Sequence, residues 1–572
     1  MKLDKIQIAQ VLEEIGVILE LKGENPFKVR AYTNAARVLE QLEENLDELI
    51  KSGKLTDIKG IGKNLAEHIV ELHTTGRLKE YDKLRKSIPN GVFEMLNIQG
   101  LGPKKVRVLW EDLGIDKIEI LELKCRQGKI ATLPGFGQKT QDKILQGIQF
   151  LRSFQGQFLF CDAHAVALAL LEEIEQHKNT IRCEIAGSIR RRKEIVGDID
   201  ILVSSKEAEP LMDLFTRHPL VEAITAKGST KSSVVLKTGM NADLRVVSDD
   251  EFPFALHYFT GSKEHNVAMR ARAKKRGLKL SEYGLFKGTT PTKCNTEADI
   301  FKALDLAYIE PEMREDTGEM QAAAKNELPK LIELEDIQGI MHIHSKYSDG
   351  TATIEEMAKA AKSMGMKYLG MADHSQAVTY AGGLTPEDVK RQHKEIDKLN
   401  KKMKSFRILK GIECDILKDG KLDYSDSVLK TFDFVIAAIH SSFNMSEADM
   451  TKRICTALKN PFVTMLAHPT GRLLLSREPY KVDMHKVIEA AANNGVCIEI
   501  NSNPHRLDLD WRLCKLAKEK GVKISINPDS HSPDGLDDVV YGVGIARKGW
   551  LTKEDVLNTM TADELLQCLR KG

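Results

Sequence analysis

Six times between residues 339 and 531 a short apolar run stops at a histidine or a carboxylate: GIMHIH, YLGMADH, ILKGIE, FVIAAIH, FVTMLAH and ISINPDSH. VCIEI at 496–500 adds a seventh run of the same kind, and an amphipathic stretch of helical period follows each. One histidine at the end of one strand is ordinarily a packed, hydrogen-bonded residue. Recurrence on this scale demands an architecture in which parallel strands joined by helices deliver their C-terminal residues to one rim, which is a β/α barrel. The rim would gather His342, His344, Asp349 of the SDG turn, His374, Glu413, His440, His468, Asp529 and His531. Nine nitrogen and oxygen ligands suit two or three borderline divalent ions such as Mn²⁺, Zn²⁺ or Fe²⁺ better than one ion. Such a cluster can activate water and hydrolyse a phosphoester, with Glu413, a carboxylate amid imidazoles, as the expected bridge.

The barrel accounts for less than half of the 572 residues, a length that suggests about four compact units. The N-terminal third repeats another pattern three times, IKGIGKNLAEHI, IQGLGPKKVRVL and LPGFGQKTQDKI. Each reads as helix, hairpin, helix, with Gly60 and Gly62, Gly100 and Gly102, and Gly135 and Gly137 making the turns. Amides at the start of each second helix can then hold a DNA phosphate without reading a base. No apolar run approaches the ~18 residues that span a bilayer, and the opening MKLDKIQ lacks the apolar stretch of a signal peptide. Nine scattered cysteines show no C-x-x-C spacing and are expected to be reduced, so a cytoplasmic monomer without membrane contact is anticipated. Net charge is only +1, but RARAKKRGLK at 270–279 and the run Arg190 to Lys193 concentrate positive charge.

Between these regions lie short branched segments, among them IRCEIAG, GDIDILV, SSVVLK and NADLRVV, which predict a sheet. Asp198 and Asp200 stand two apart on one strand and so share a face, and Asp243 offers a third carboxylate from another strand. Converging carboxylates repel unless they hold divalent cations, and a pair of Mg²⁺ or Mn²⁺ ions is what in-line phosphoryl transfer needs. Gly187 and Ser188 open a small turn beside the basic cluster, a setting suited to a triphosphate.

The run GSIRRRKEIVGDIDILV, continued through YFTGSKEHNVAMRARAKKRGLKLSEYGLF to YIEPEMRE, resembles family X DNA polymerases over residues 1 to about 317. That resemblance implies that Asp198, Asp200 and Asp243 are catalytic metal ligands, with Asp243 nearest the primer 3′-hydroxyl. It implies also that Gly187, Ser188, Arg191 and Gly261 belong to the nucleotide site, with Ser188 and Arg191 on the phosphates, and that Tyr258 and Phe259 line the sugar pocket and disfavour a ribose 2′-hydroxyl. Asn266 would meet the incoming base or the minor groove, Arg270 the template, and Lys28 and Tyr32 the DNA held by the N-terminal domain. The strand-end motifs, in turn, resemble the polymerase and histidinol phosphatase (PHP) domain, a distorted seven-stranded barrel with a trinuclear site. The two together resemble the layout of bacterial family X DNA polymerases.

The expected fold is therefore multidomain: helical helix-hairpin-helix regions at 1–88 and 89–155, and an α+β nucleotidyltransferase palm at 156–250. A nucleotide-selection subdomain at 251–317, a linker at 318–335 and an α/β PHP barrel at 336–572 complete it. The resemblance implies short-gap filling in base-excision-type repair on gapped or nicked DNA with deoxynucleoside triphosphates. It implies also a metal-dependent 3′–5′ exonuclease, with abasic-site cleavage as an additional activity. The alternatives are a polymerase whose barrel is structural or cleaves pyrophosphate, and a non-catalytic DNA-end-binding scaffold. One departure bears on lyase chemistry: where relatives with that activity place a Schiff-base lysine, this chain has His68, which cannot form a stable imine.

Overall fold

The computed structural model describes residues 3, 5–40, 42, 46–98 and 100–569, and its contacts divide the chain into compact units at 1–155 and 156–572. The first unit is helical throughout. Its hairpins form because glycine alone enters the left-handed region without strain: Gly60, Gly100 and Gly135 have φ of 104°, 89° and 82°. Gly62 and Gly102 then cap the helices Lys63–Thr75 and Pro103–Arg107. The third hairpin differs. Its helix Gly137–Ser153 begins at the glycine itself, with φ 68°, behind a buried Phe136.

Numbering only the strands of the two main sheets, the second unit begins with β1 (Arg182–Ile185), β2 (Asp198–Ser204), β3 (Val221–Lys227), β4 (Lys231–Leu236) and β5 (Asn241–Val247). They lie in the order β1-β2-β5-β4-β3. β3 is an exposed edge strand whose sequence VEAITAK carries little apolar alternation and gave no strand signal. Along β2, Ile199, Ile201 and Val203 bury against the helices Phe160–Glu175 and Glu209–Thr216, so the period-two pleat turns Asp198 and Asp200 to the opposite face. β2 and β5 run parallel, with Asp198 opposite Asn241 and Asp200 directly opposite Asp243.

Two helices, Phe252–Thr260 and Lys263–Lys275, follow, and then a small three-stranded sheet within 279–292. Inside the stretch expected as a linker, Glu319–Lys325 forms a helix. Fully buried Glu319 accepts hydrogen bonds from the Asp316 and Thr317 amides at 2.9 and 2.8 Å and pairs with His265 at 2.9 Å. Met320, Ala323, Leu331 and Ile332 are buried too, an apolar set too sparse to stand out in a polar stretch.

The barrel strands are β6 (Gly339–Ile343), β7 (Tyr368–Met371), β8 (Arg407–Asp415), β9 (Phe434–Ala438), β10 (Met465–Leu466), β11 (Cys497–Asn501) and β12 (Ile524–Asn527). All are parallel and neighbours follow chain order. The barrel is nearly closed where the His344 amide donates to the Ser530 carbonyl at 2.9 Å. The Phe434 ring fills the space over Gly370 and Gly411, where a Cβ would come within 2.7 and 2.0 Å of it. Within this second unit the barrel packs directly on the preceding sheet domain through the helix Val539–Lys548. Lys548 Nζ, fully buried, donates to the carbonyls of Arg191 (3.1 Å) and Glu312 (3.4 Å), pairs with Glu315, and lies 4.7 Å from the Trp511 ring centre.

Candidate functional site

On the β2/β5 face, the three carboxylates crowd one another. Burial, followed by the charges of Asp198 and Asp243, pushes Asp200 up to about 7, and burial with Asp243 also raises Asp198. Lys231 Nζ, 2.6 Å from Asp243, offsets part of this repulsion. Gly187, with φ 64°, sits so close to Asp200 that a Cβ there would be 2.4 Å from its Oδ2. Among the described residues, groups of three or more whose ligand atoms lie within 4.8 Å of one another occur only at the barrel rim, so the three aspartates share a face without closing into a tight cage.

The neighbouring basic cluster is not a free patch. Arg190 reaches Thr260 Oγ1 (2.7 Å) and Glu297 (2.6 Å), Arg191 reaches Glu315 (3.1 Å) and the Thr260 carbonyl, and Arg192 lies over the Phe160 ring. Ser188 lies in the short helix Gly187–Arg190. The Tyr258 and Phe259 rings meet edge-on at 5.1 Å, and Asn266 donates from Nδ2 to the Tyr258 carbonyl at 2.7 Å. Gly261 lies in the turn between the two helices, while Arg270 is exposed on the second. Arg272 and Arg276 in the same basic run donate to the Leu304 carbonyl. In the first unit Lys28 is exposed and Tyr32 is buried; Tyr32 Oη is 3.2 Å from His68 Nδ1, and His68 Nε2 is 3.2 Å from Glu80.

At the barrel rim the strand ends bring all nine expected residues to one place. Glu413 lies at the centre, with its oxygens 2.7 Å from His374, 2.9 Å from His468, 3.2 Å from His440, 3.5 Å from His342 and 3.7 Å from His344. Asp529 is 3.0 Å from His344, and Asp349 is 3.2 Å from His531. Three overlapping ligand groups result: His344, Asp349, His374 and His531; His342, His344 and Asp529; and His374, Glu413 and His440.

The donor set fits divalent ions. Burial and the charges of His531 and His374 drop His344 to about 3, leaving a neutral imidazole ready to ligate. Burial opposes charge on His374, yet Glu413 and Asp349 outweigh it and lift it to about 10. Burial likewise opposes ionisation of Glu413, but the imidazoles of His440, His374 and His342 hold it well below the usual carboxylate range. Two buried ligand atoms make no well-aligned hydrogen bond although they face other ligand groups, His342 Nε2 at 3.5 Å from both Glu413 and Asp529 and Glu413 Oε2 at 2.7 Å from His374, as donor atoms aimed at a shared ion would.

Sequence reasoning passed over the residues that aim these ligands. Glu499 on β11 accepts from His342 Nδ1 (2.7 Å) and from the His468 amide (2.9 Å). Asp415 pairs with His440 Nδ1 at 3.1 Å. Asp373, fully buried, accepts from the Ser345 amide (2.7 Å) and Ser348 Oγ (2.6 Å), and so fixes the loop that carries Asp349. A lone carboxylate inside the apolar strand VCIEI was the available signal, since a buried charge needs a partner.

Five family models match the chain: helix-hairpin-helix domains at 4–78 and 92–149, DNA polymerase beta palm at 162–245, DNA polymerase beta thumb at 255–315, and PHP domain at 341–503. The chain is 40% identical over 572 residues to the DNA polymerase/3′-5′ exonuclease PolX of Bacillus subtilis (strain 168), covering 99% of this chain and 100% of that protein. It is 24% identical to DNA polymerase lambda of Rattus norvegicus over 345 residues, 54% of this chain and 56% of the relative. A probable phosphatase of Thermoanaerobacter sp. (strain X514) is 31% identical over 230 residues, 38% of this chain and 89% of that protein.

Proposed function

Because the chain belongs to the family X DNA polymerases that carry a C-terminal PHP domain, we infer that it is a DNA polymerase filling short gaps in repair, joined to a metal-dependent 3′–5′ exonuclease. The observation that carries this reading is the presence of two separate centres in one compact unit: three aspartates on one sheet face, and eight further ligand side chains gathered around Glu413. Divalent ions at these centres supply charge neutralisation for the phosphoryl group and acidify a bound water.

The chain's own residues do the rest. Asp198, Asp200 and Asp243 hold Mg²⁺ or Mn²⁺, with Asp243 nearest the primer 3′-hydroxyl, and Lys231 steadies Asp243 before ions arrive. Gly187, Ser188 and Arg191 receive the triphosphate; Tyr258, Phe259 and Gly261 shape the sugar pocket; Asn266 meets the base edge or minor groove, and Arg270 the template. Lys28, Tyr32 and the hairpin glycines track the DNA backbone through phosphate contacts, so binding is sequence-tolerant and weakens with salt. At the rim His342, His344, Asp349, His374, Glu413, His440, His468, Asp529 and His531 hold two or three ions, and imidazole ligands favour Mn²⁺, Zn²⁺ or Fe²⁺ over Mg²⁺. We take the protein to be cytoplasmic and monomeric, since both clusters are built from residues of one chain.

Extension and degradation of one gapped substrate test the assignment. Asp198→Ala with Asp200→Ala should abolish extension and spare Mn²⁺-dependent loss of 3′ nucleotides, while His342→Ala with His344→Ala should give the mirror image. Full extension by the aspartate variant, or full degradation by the histidine variant, would remove the corresponding centre from the proposal.

A further inference from the structure

Beside the rim an aromatic side chain stands out into solvent. Tyr380 is 79% exposed, at the tip of a loop that leaves the barrel at His374 and returns at Leu384. Both roots of that loop are fixed to the metal-ligand strands. The Ser375 amide donates to the Glu413 carbonyl at 3.0 Å, and the Leu384 amide to the His374 carbonyl at 2.8 Å. Its inner turn packs tightly at Gly383, where a Cβ would fall 1.9 Å from the Ser375 carbonyl oxygen, and Gly382 lies in ordinary contact distance of the Ser348 backbone, next to Asp349. Desolvation first, and then the charges of Glu413, Asp415 and Asp349, raise the phenol's pKa, with Arg477 opposing them. Two arginines lie by the loops that follow other rim strands, and Arg477 feels the charges of Arg506 and Tyr380. Arg477 lies 4.8 Å from the Phe443 ring centre and donates to the Gly471 carbonyl, and Arg506 Nε is 3.7 Å from Asp529 Oδ2.

A rigidly rooted, water-exposed ring next to a phosphoester-cleaving centre, with guanidinium groups close by, matches what a nucleotide needs: a face for the base and cations for the phosphates. We propose that Tyr380 stacks on the terminal base of a DNA 3′ end while Arg477 and Arg506 steer its phosphates, making a nucleotide subsite that selects base-bearing ends. This rests on the nuclease reading of the rim.

Two oligonucleotides test it, identical except that one ends in a normal 3′ nucleotide and the other in a base-less tetrahydrofuran residue. The full-length protein in Mn²⁺ should favour the normal end in kcat/KM by roughly tenfold. Tyr380→Ala should bring that ratio to within about twofold of one, and Tyr380→Trp should retain it. A second readout does not depend on turnover: an oligonucleotide with a 3′-terminal 5-iodouracil and a cleavage-resistant phosphorothioate linkage, irradiated on the protein, should leave its adduct on the Tyr380 peptide. An unchanged ratio in Tyr380→Ala, or adducts confined to other peptides, would overturn the subsite while leaving the nuclease reading intact. Parent protein that degrades neither end would overturn both, and is recognised before any variant is compared.

Discussion

Asp200 shows how a residue's neighbours set the conditions under which it works. Its carboxyl is raised to about 7 by burial first and by Asp198 and Asp243 next, against an ordinary value of 3.8. A carboxyl whose pKa is higher folded than unfolded favours the fold at low pH, and that contribution is lost as pH rises through about 7. In chelator, Asp200→Asn should therefore melt above the parent by a margin that grows between pH 5 and pH 8. Thermal unfolding at both pH values checks this, and a constant margin would contradict it. Since ions compete with the proton on Asp200, Mg²⁺ affinity of the parent should also rise over that interval. At the rim, Glu499 fixes His342 through its Nδ1. Glu499→Gln should weaken Mn²⁺ binding by about 10- to 100-fold, measured by titration calorimetry, with the polymerase reaction unaffected.

At the level of strands and helices, the barrel's lower interior depends on two absent side chains. Phe434 occupies what would be Cβ space at Gly370 and Gly411, and at Gly411 the overlap is with the ring itself rather than a movable tip. Gly411→Ala should cost about 1–3 kcal/mol in unfolding free energy, and adding Phe434→Leu should recover part of it. Equal stability of parent and Gly411→Ala in urea would refute this packing argument. These strands also show what a sequence can and cannot reveal. Seven parallel strands were legible because each is an apolar run with a chemically distinct end, and the β2 aspartates because a two-residue period fixes their face. Glu499 and Asp415 escaped notice because each is one carboxylate within or beside an apolar strand and acquires meaning only from a histidine on another strand. The edge strand Val221–Lys227 and the helix Glu319–Lys325 escaped for another reason: neither has a continuous apolar face, and packing against neighbours decides both.

On the scale of residues 156–572, the seam between sheet domain and barrel is built around charges largely hidden from water, with Glu333 more open at its edge. Lys548 is sealed against Glu315, which also holds Arg191, and Arg547 reaches Glu312 and Glu333, each at 2.7 Å. Burial lowers the Lys548 pKa and Glu315 works against that, so removing Glu315 strands Lys548, whereas removing Lys548 leaves Glu315 paired with Arg191. Glu315→Gln should destabilise this unit by on the order of 3 kcal/mol by stranding buried Lys548, and adding Lys548→Met should recover part of that loss, Arg191 still lacking its carboxylate. Additive losses in the double variant, measured by denaturant unfolding, would show that the two groups do not act as a pair.

That seam also bears on inheritance. Two catalytic bodies joined by a flexible tether could be exchanged between lineages like beads, but here the barrel supplies the cation and the polymerase side the carboxylate of a single sealed contact. A drift at position 548 calls for a matching drift on the polymerase side, so grafting a foreign barrel onto this polymerase would need changes at more than one locus, and gene fission near residue 335 would leave the barrel's buried lysine without its carboxylate while Glu315 kept only Arg191.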